Sequence, residues 1–106
     1  MRKLVLALFL MAASAASTGA ADDGEPQSGA ALSRTWCASC HLIGTDDTQV
    51  ALADAPSFVE VAKTMGETRR EALAMWLTRP HDAMPDPSLT RAEIADILAY
   101  IESLAP

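Results

Sequence analysis

Both cysteines of this 106-residue chain lie in one pentapeptide, Cys37-Ala38-Ser39-Cys40-His41. Two thiols at this spacing, followed directly by a histidine, form the attachment pattern of a c-type haem. Each thiol can add to one vinyl group of the porphyrin, while the imidazole can reach the iron from the same side. The pentapeptide therefore predicts one covalently attached haem, which would also supply apolar volume to a chain too short for a large core.

Other uses of a Cys-x-x-Cys pair fit this chain less well. A closed structural zinc site takes four ligands, and His81 is the only Cys or His outside the pentapeptide. A thioredoxin-like redox centre needs a βαβ pattern around the dithiol, and no alternating or β-branched run is present. Two cysteines of an exported chain could also form a disulfide, but the adjacent His41 favours haem.

The N-terminus predicts export. Arg2 and Lys3 precede an apolar run that ends at Ala13, and small residues follow through Ala21. This is the pattern of a signal peptide spanning residues 1–21, with a cleavage site uncertain by one residue. The apolar run is shorter than the ~20 residues that a membrane span needs. We expect a short flexible leader at 22–27, one domain at 28–106, and a periplasmic location without stable membrane insertion of the mature chain.

The mature chain is strongly acidic. Removing Arg2 and Lys3 leaves six basic against fourteen acidic residues, a formal charge of −8. Nucleic acids and anionic membranes bind basic surfaces, so neither is an expected partner. A docking surface ringed by lysines is excluded for the same reason, and the partner surface should be basic or the contact largely apolar.

Helical signals recur after the leader, and no strand signal interrupts them. A hydroxyl residue followed three positions later by glutamate predicts helix starts at Ser57, Thr68 and Thr90. Gly66 is expected to end the first of these helices and Pro80 the second. The last helix is the clearest, with apolar residues at three- and four-residue intervals from Ile94 to Leu104. An earlier helix over 29–38 leads into the pentapeptide, and 45–55 is expected to be mainly loop. The fold class is all-α, with three to five helices.

A second axial ligand for the iron has four candidates: Met65, Met75, His81 and Met84. Met84 lies in a proline-rich segment before the last helix, where a loop could place its thioether over the iron. Met75, inside a predicted helix, is expected to fill core space, and Met65 is expected to pack at a helix end. We therefore predict ligation by His41 and Met84, with His81 as the competitor.

The pentapeptide, together with Met84-Pro85 ahead of the last helix, resembles the class I c-type cytochromes, and the resemblance extends from about Gly29 to Leu104. It implies the small class I cytochrome c fold packed around one haem. It also implies that the carbonyl of Pro56 accepts a hydrogen bond from the ring of His41, which would orient the ligand. The alternative is a proline that only ends a loop before a helix.

The resemblance implies two further features. A glycine in the first helix, here Gly29, lets that helix cross the last one closely beside an aromatic residue, here Tyr100. Ser33 is a departure, since many relatives have an aromatic residue at that contact. Trp76 is a candidate for a haem propionate contact, although it could equally be a core residue, and Arg79 is a weaker candidate.

Coordination by His41 and Met84 would leave the iron no open position, which favours one-electron transfer over catalysis. The chain is therefore expected to be a monomeric electron carrier rather than an enzyme. Its partners would be redox proteins: a dehydrogenase or bc-type complex as donor and an oxidase or reductase as acceptor. Two alternatives remain open. One is a haem protein with a labile distal ligand, for gas binding or peroxidase-like chemistry, and the other is a dedicated cytochrome subunit of a periplasmic dehydrogenase.

Overall fold

The fold is helical. The computed structural model describes residues 23–46, 49–52, 54–79 and 84–106. Within these ranges it contains no strand, and it has four helices: α1 (Pro26–Trp36), α2 (Phe58–Lys63), α3 (Glu67–Thr78) and α4 (Arg91–Ser103). The predicted all-α fold class is confirmed.

Several sequence predictions fall on residues outside these ranges. The signal peptide over 1–21 is one, and the roles given to Pro80 and His81 are others. Arg79 is described, and its backbone is extended, as the residue before a proline should be. No helix in the described part of the chain has both the length and the apolar character needed to cross a membrane.

The closest helix packing is the crossing of α1 and α4. A Cβ added at Gly29 would lie 1.9 Å from the backbone oxygen of Asp96 and 2.8 Å from Cβ of Tyr100. No side chain larger than hydrogen fits there without moving one helix, because backbone atoms cannot rotate away. The predicted crossing at Gly29 beside Tyr100 is therefore confirmed. Ser33 is fully buried in α1, and its hydroxyl has no hydrogen-bond partner among the described residues.

The first helix begins earlier than predicted and shortens the expected leader. Pro26 opens α1, a position that suits its fixed φ and its missing N–H. Just before it, the backbone N–H of Glu25 donates to the Asp96 carboxylate of α4 at 2.7 Å. Gly24 has a φ of +69° and lies against the backbone of Ala95 in α4. Residues 24–27, predicted to belong to the leader, thus belong to the folded domain.

Two of the three predicted helix starts are confirmed, and one is wrong. Ser57 and Thr90 each form a capping box, in which the hydroxyl accepts from the backbone of the glutamate three residues on and that glutamate accepts from the cap. Thr68 is instead the second residue of α3, so its helical backbone cannot cap. Gly66, predicted to end the preceding helix, is the N-cap of α3, and its carbonyl accepts from Arg70 at 2.8 Å.

The last helix supplies most of the buried core. The predicted apolar stripe is buried at Ile94, Ile97, Leu98 and Ile101, and Ala95 and Ala99 are buried beside it. Helix α3 has no buried residue. Four of its apolar residues, Ala72, Leu73, Trp76 and Leu77, instead border a cavity between α3, α4 and the pentapeptide.

Candidate haem site

The pentapeptide forms a tight turn that continues from α1. The carbonyl of Cys37 accepts hydrogen bonds from the backbone N–H groups of Cys40 at 3.1 Å and His41 at 2.9 Å. This turn brings both cysteines and the histidine to the same cavity. The two thiols are free in the structure, with Cys37 buried and Cys40 partly exposed.

The ring of His41 is held from two sides. Its Nδ1 lies 2.8 Å from the carbonyl oxygen of Pro56. Because a carbonyl can only accept, Nδ1 carries the proton, and Nε2 keeps its lone pair for a metal. The ring of Phe58 lies beside it, with centroids 5.6 Å apart and planes tilted by 47°. The structure thus places the Pro56 carbonyl within hydrogen-bond distance of the His41 ring, which is the contact that the resemblance implies.

Gln49 is a site residue that the sequence reasoning missed. Its side-chain nitrogen donates to the carbonyls of His41 at 2.7 Å and Ala38 at 3.1 Å. Its side-chain oxygen accepts from the backbone N–H of Ile43 at 3.1 Å. A single amide therefore satisfies three backbone groups in and just after the pentapeptide. The sequence carries no signal for this role, because 45–55 has no periodicity and a loop glutamine is usually solvated.

The cavity has a volume of about 710 Å³ and walls from every part of the domain. Five residues of α3 face it from one side, namely Arg69 and the residues three, four, seven and eight positions after it. Ile97 and Ile101 of α4 form its inner wall. Met84 and Pro85 border it from the loop before α4. His41 of the pentapeptide and Asp54 of the loop before α2 also line it.

The three candidate methionines differ in position. Met84 is half-buried and lines the cavity together with His41. Met65 packs against the buried core, as predicted, and does not line this cavity. The prediction that Met75 fills core space is wrong, because this side chain is 58% exposed. It lies about a third of a turn around α3 from the centre of the stripe that faces the cavity.

The candidates for a propionate contact also differ in whether they line the cavity. Trp76 lines the cavity although it is 64% exposed, so it is not the buried core residue that was the alternative. Arg79 follows the end of α3 and is not among the lining residues. Arg69, which the sequence reasoning did not single out, does line the cavity. It lies seven residues before Trp76 on the same helix face, but the spacing alone does not tell which face borders the cavity.

Burial, together with a smaller contribution from the nearby Cys40, raises the pKa of the Cys37 thiol to about 11. At neutral pH, Cys37 is therefore a neutral thiol until it forms a thioether. The raised pKa applies only to the chain before haem attachment, because a thioether does not titrate.

The residues around the cavity fit a covalently bound haem. Two thiols and an imidazole with a free Nε2 come from one turn, and a thioether sulfur lines the same space. The rest of the lining is mainly apolar, and the volume lies within the ~300–1,000 Å³ range of cofactor and ligand sites. A structural zinc site would need a fourth Cys, His or acidic ligand near the pentapeptide, and no group of three or more such side chains in the described residues is placed to hold a metal.

Comparisons with known proteins agree with this geometry. The family model "Cytochrome c" matches residues 26–105. The chain is 47% identical over 103 residues to a protein named cytochrome c-552 from Bradyrhizobium diazoefficiens, which covers 97% of this chain and 91% of that protein. No solved structure matches the chain.

Proposed function

The chain belongs to the cytochrome c family and carries one covalently bound haem c, and on that basis we propose that it is a periplasmic one-electron carrier with His41 and Met84 as axial ligands. The family itself indicates an electron-transfer protein. The ligand set and the compartment are what we propose beyond that.

One observation carries the ligand assignment. Of the methionines in the described residues, only Met84 lines the cavity that His41 also lines. Met84 lies in the non-helical, proline-containing segment that leads to α4, so its thioether could supply the second ligand of a haem held by His41. Met65 and Met75 lie elsewhere, in the packed core and on the solvent side of α3.

The chain's own residues would then tune the redox site. Bound haem supplies an iron that exchanges one electron. Pro56 fixes the tautomer and orientation of the His41 ring, which keeps that ligand in place in both oxidation states. The thioether of Met84 favours the ferrous state, and apolar residues such as Leu73 and Ile97 exclude water, so both raise the potential. With two protein ligands in place, no site is left for a substrate.

Absorption spectra of the matured protein would test the ligand set. The comparison is between wild type, Met84→Ala and the control Met75→Ala, which loses the same thioether from a position outside the cavity. The ferric wild type and Met75→Ala should show the weak sulfur-to-iron band, and Met84→Ala should lose it and bind carbon monoxide in the ferrous state. A wild type that binds carbon monoxide or lacks the band would instead support the haem protein with a labile distal ligand.

Localisation needs a separate measurement. The support for export is the signal peptide predicted over 1–21, together with the oxidising side of the membrane on which c-type haem attachment is expected from the resemblance. Fractionation of producing cells should place the protein in the periplasm, and its mass should correspond to a chain that starts near Asp22 plus one haem. A mass that includes residues 1–21 would contradict cleavage. Co-purification with a dehydrogenase would favour the dedicated-subunit alternative.

A further inference from the structure

One face of α3 is apolar along the cavity and has a single charge at its end. Ala72, Leu73, Trp76 and Leu77 follow Arg69 at the spacing of one helix face, and all five residues line the cavity. Arg69 lies in the first turn of α3, about 10 Å along the helix axis from Trp76. It is the only arginine or lysine among the described residues that line the cavity.

The neighbouring arginines are placed differently. Arg70, on another face of α3, forms an ion pair with Glu102 of α4, with Nε and Oε1 2.6 Å apart. Arg79 is exposed and does not line the cavity. The side chain of Arg69 has no hydrogen bond or ion pair with any residue in the described part of the chain, and this includes Asp54, the carboxylate on the cavity wall. Arg69 therefore faces the cavity, and no acidic side chain among the described residues pairs with it.

A haem bears two propionate carboxylates besides the vinyl groups that the cysteines consume. A carboxylate at the edge of a largely apolar cavity needs a cationic hydrogen-bond partner to offset its lost hydration. A guanidinium is suited to this, since its planar fork can donate two parallel hydrogen bonds to one carboxylate. We propose that Arg69 binds a haem propionate, and that it rather than Arg79 is the cation of this site.

A positive charge beside the haem opposes the additional positive charge of ferric iron. Arg69 should therefore favour the ferrous state and raise the reduction potential. This role deepens the proposed electron-carrier function and rests on it for its biological use, but the binding of the propionate depends only on the covalent haem. For a charge about 10 Å from the iron and an effective dielectric constant between about 25 and 50, the effect on the reduction equilibrium is about three- to tenfold.

The test compares Arg69→Gln with Arg79→Gln, two variants that lose the same charge from exposed arginines ten residues apart on one segment. In the matured protein, Arg69→Gln should shift the reduction equilibrium toward the ferric state about three- to tenfold, up to about 59 mV for one electron. It should also shift the propionate-bending band in the resonance Raman spectrum. Arg79→Gln should change the equilibrium less than about twofold and leave that band unchanged. Equal effects of the two variants on both measurements would overturn the proposal.

If Arg69→Gln does not acquire its haem, NMR of the wild-type protein tests the same proposal. In protein labelled with ¹⁵N-arginine, the Nε–H signal of Arg69, assigned by its loss in Arg69→Lys, should exchange slowly with water and shift when the haem is oxidised. The Arg79 signal should exchange fast and shift less. An Arg69 signal that exchanges as fast as that of Arg79 would overturn the proposal. Failure of Met84 ligation would be visible separately as a missing sulfur-to-iron band in wild type.

Discussion

The α1–α4 crossing and the α3 wall of the cavity are packed in different ways. At the crossing, protein atoms meet protein atoms: Gly29 lies against the α4 backbone, and six residues of α4 are buried. Helix α3 buries none of its residues, and its apolar side chains Leu73 and Leu77 are only half-buried beside the cavity. Protein atoms alone complete the packing at the crossing, whereas the packing of the α3 wall is completed only when haem fills the cavity.

This difference divides the stability of the molecule into two parts. Packing at the crossing depends on side-chain volume alone. The α3 wall depends on the cofactor, which binds the folded chain and so stabilises it further. In the matured haem protein, substitutions in the two regions should therefore lower the free energy of unfolding in urea by different amounts.

The largest effect is expected at the crossing itself, from Gly29→Ala. The added Cβ would lie 1.9 Å from a backbone oxygen of α4, so the helices must separate, and the net cost should be about 3 kcal/mol in spite of alanine's higher helix propensity. Gly66→Ala is the control, because nothing lies within 4 Å of the added Cβ. It should cost about 0.5 kcal/mol, from a poorer N-cap residue. Similar costs for the two variants would mean that the crossing is not tightly packed.

The α3 wall is tested by Leu73→Ala. If haem completes this part of the core, removing the side chain should cost about 2 kcal/mol, as it does at buried positions, although Leu73 is only half-buried by protein. Met75→Ala on the solvent side of α3 is the control and should cost less than about 0.5 kcal/mol. Should Leu73→Ala cost no more than Met75→Ala, the wall would not be part of a haem-completed core.

The loop beneath the pentapeptide is tested by Gln49→Ala. Three backbone groups lose their partner at once, and the expected cost is about 1.5 kcal/mol, since water can replace part of the loss at this partly buried position. The exposed Gln27→Ala in α1 is the matched control and should be nearly neutral. A neutral Gln49→Ala would show that this amide does not stabilise the haem-attachment turn.

The smallest effect concerns the helix caps. Thr90→Ala removes the hydroxyl that caps α4 and should cost about 1 kcal/mol. Thr68→Ala replaces a residue that has the same spacing to a glutamate but lies inside α3, so it should be neutral or slightly stabilising. A loss of about 1 kcal/mol in Thr68→Ala would contradict the start of α3 at Glu67.

The caps show where prediction from sequence succeeded and where it failed. The same three-residue spacing occurs at Ser57, Thr68 and Thr90, yet only the first and last are caps. The spacing indicates only that a residue could cap a helix, and tertiary packing determines which candidate does so. Because α2 ends at Lys63, Gly66 can serve as the N-cap of α3. For the same reason Met75, apolar and in a helix, was predicted to be core although it faces solvent.

The sequence by itself determined the chemistry of attachment, the helical class and the last helix. These are local properties: the pentapeptide, the capping boxes at Ser57 and Thr90, and the apolar spacing from Ile94 each act over a few residues. Only the tertiary structure decided that Gln49 anchors the pentapeptide, that Arg69 rather than Arg79 faces the cavity, and that Met84 alone of the described methionines borders it. Each of these contacts joins residues distant in the chain or depends on the direction of a helix face, and no local pattern encodes either.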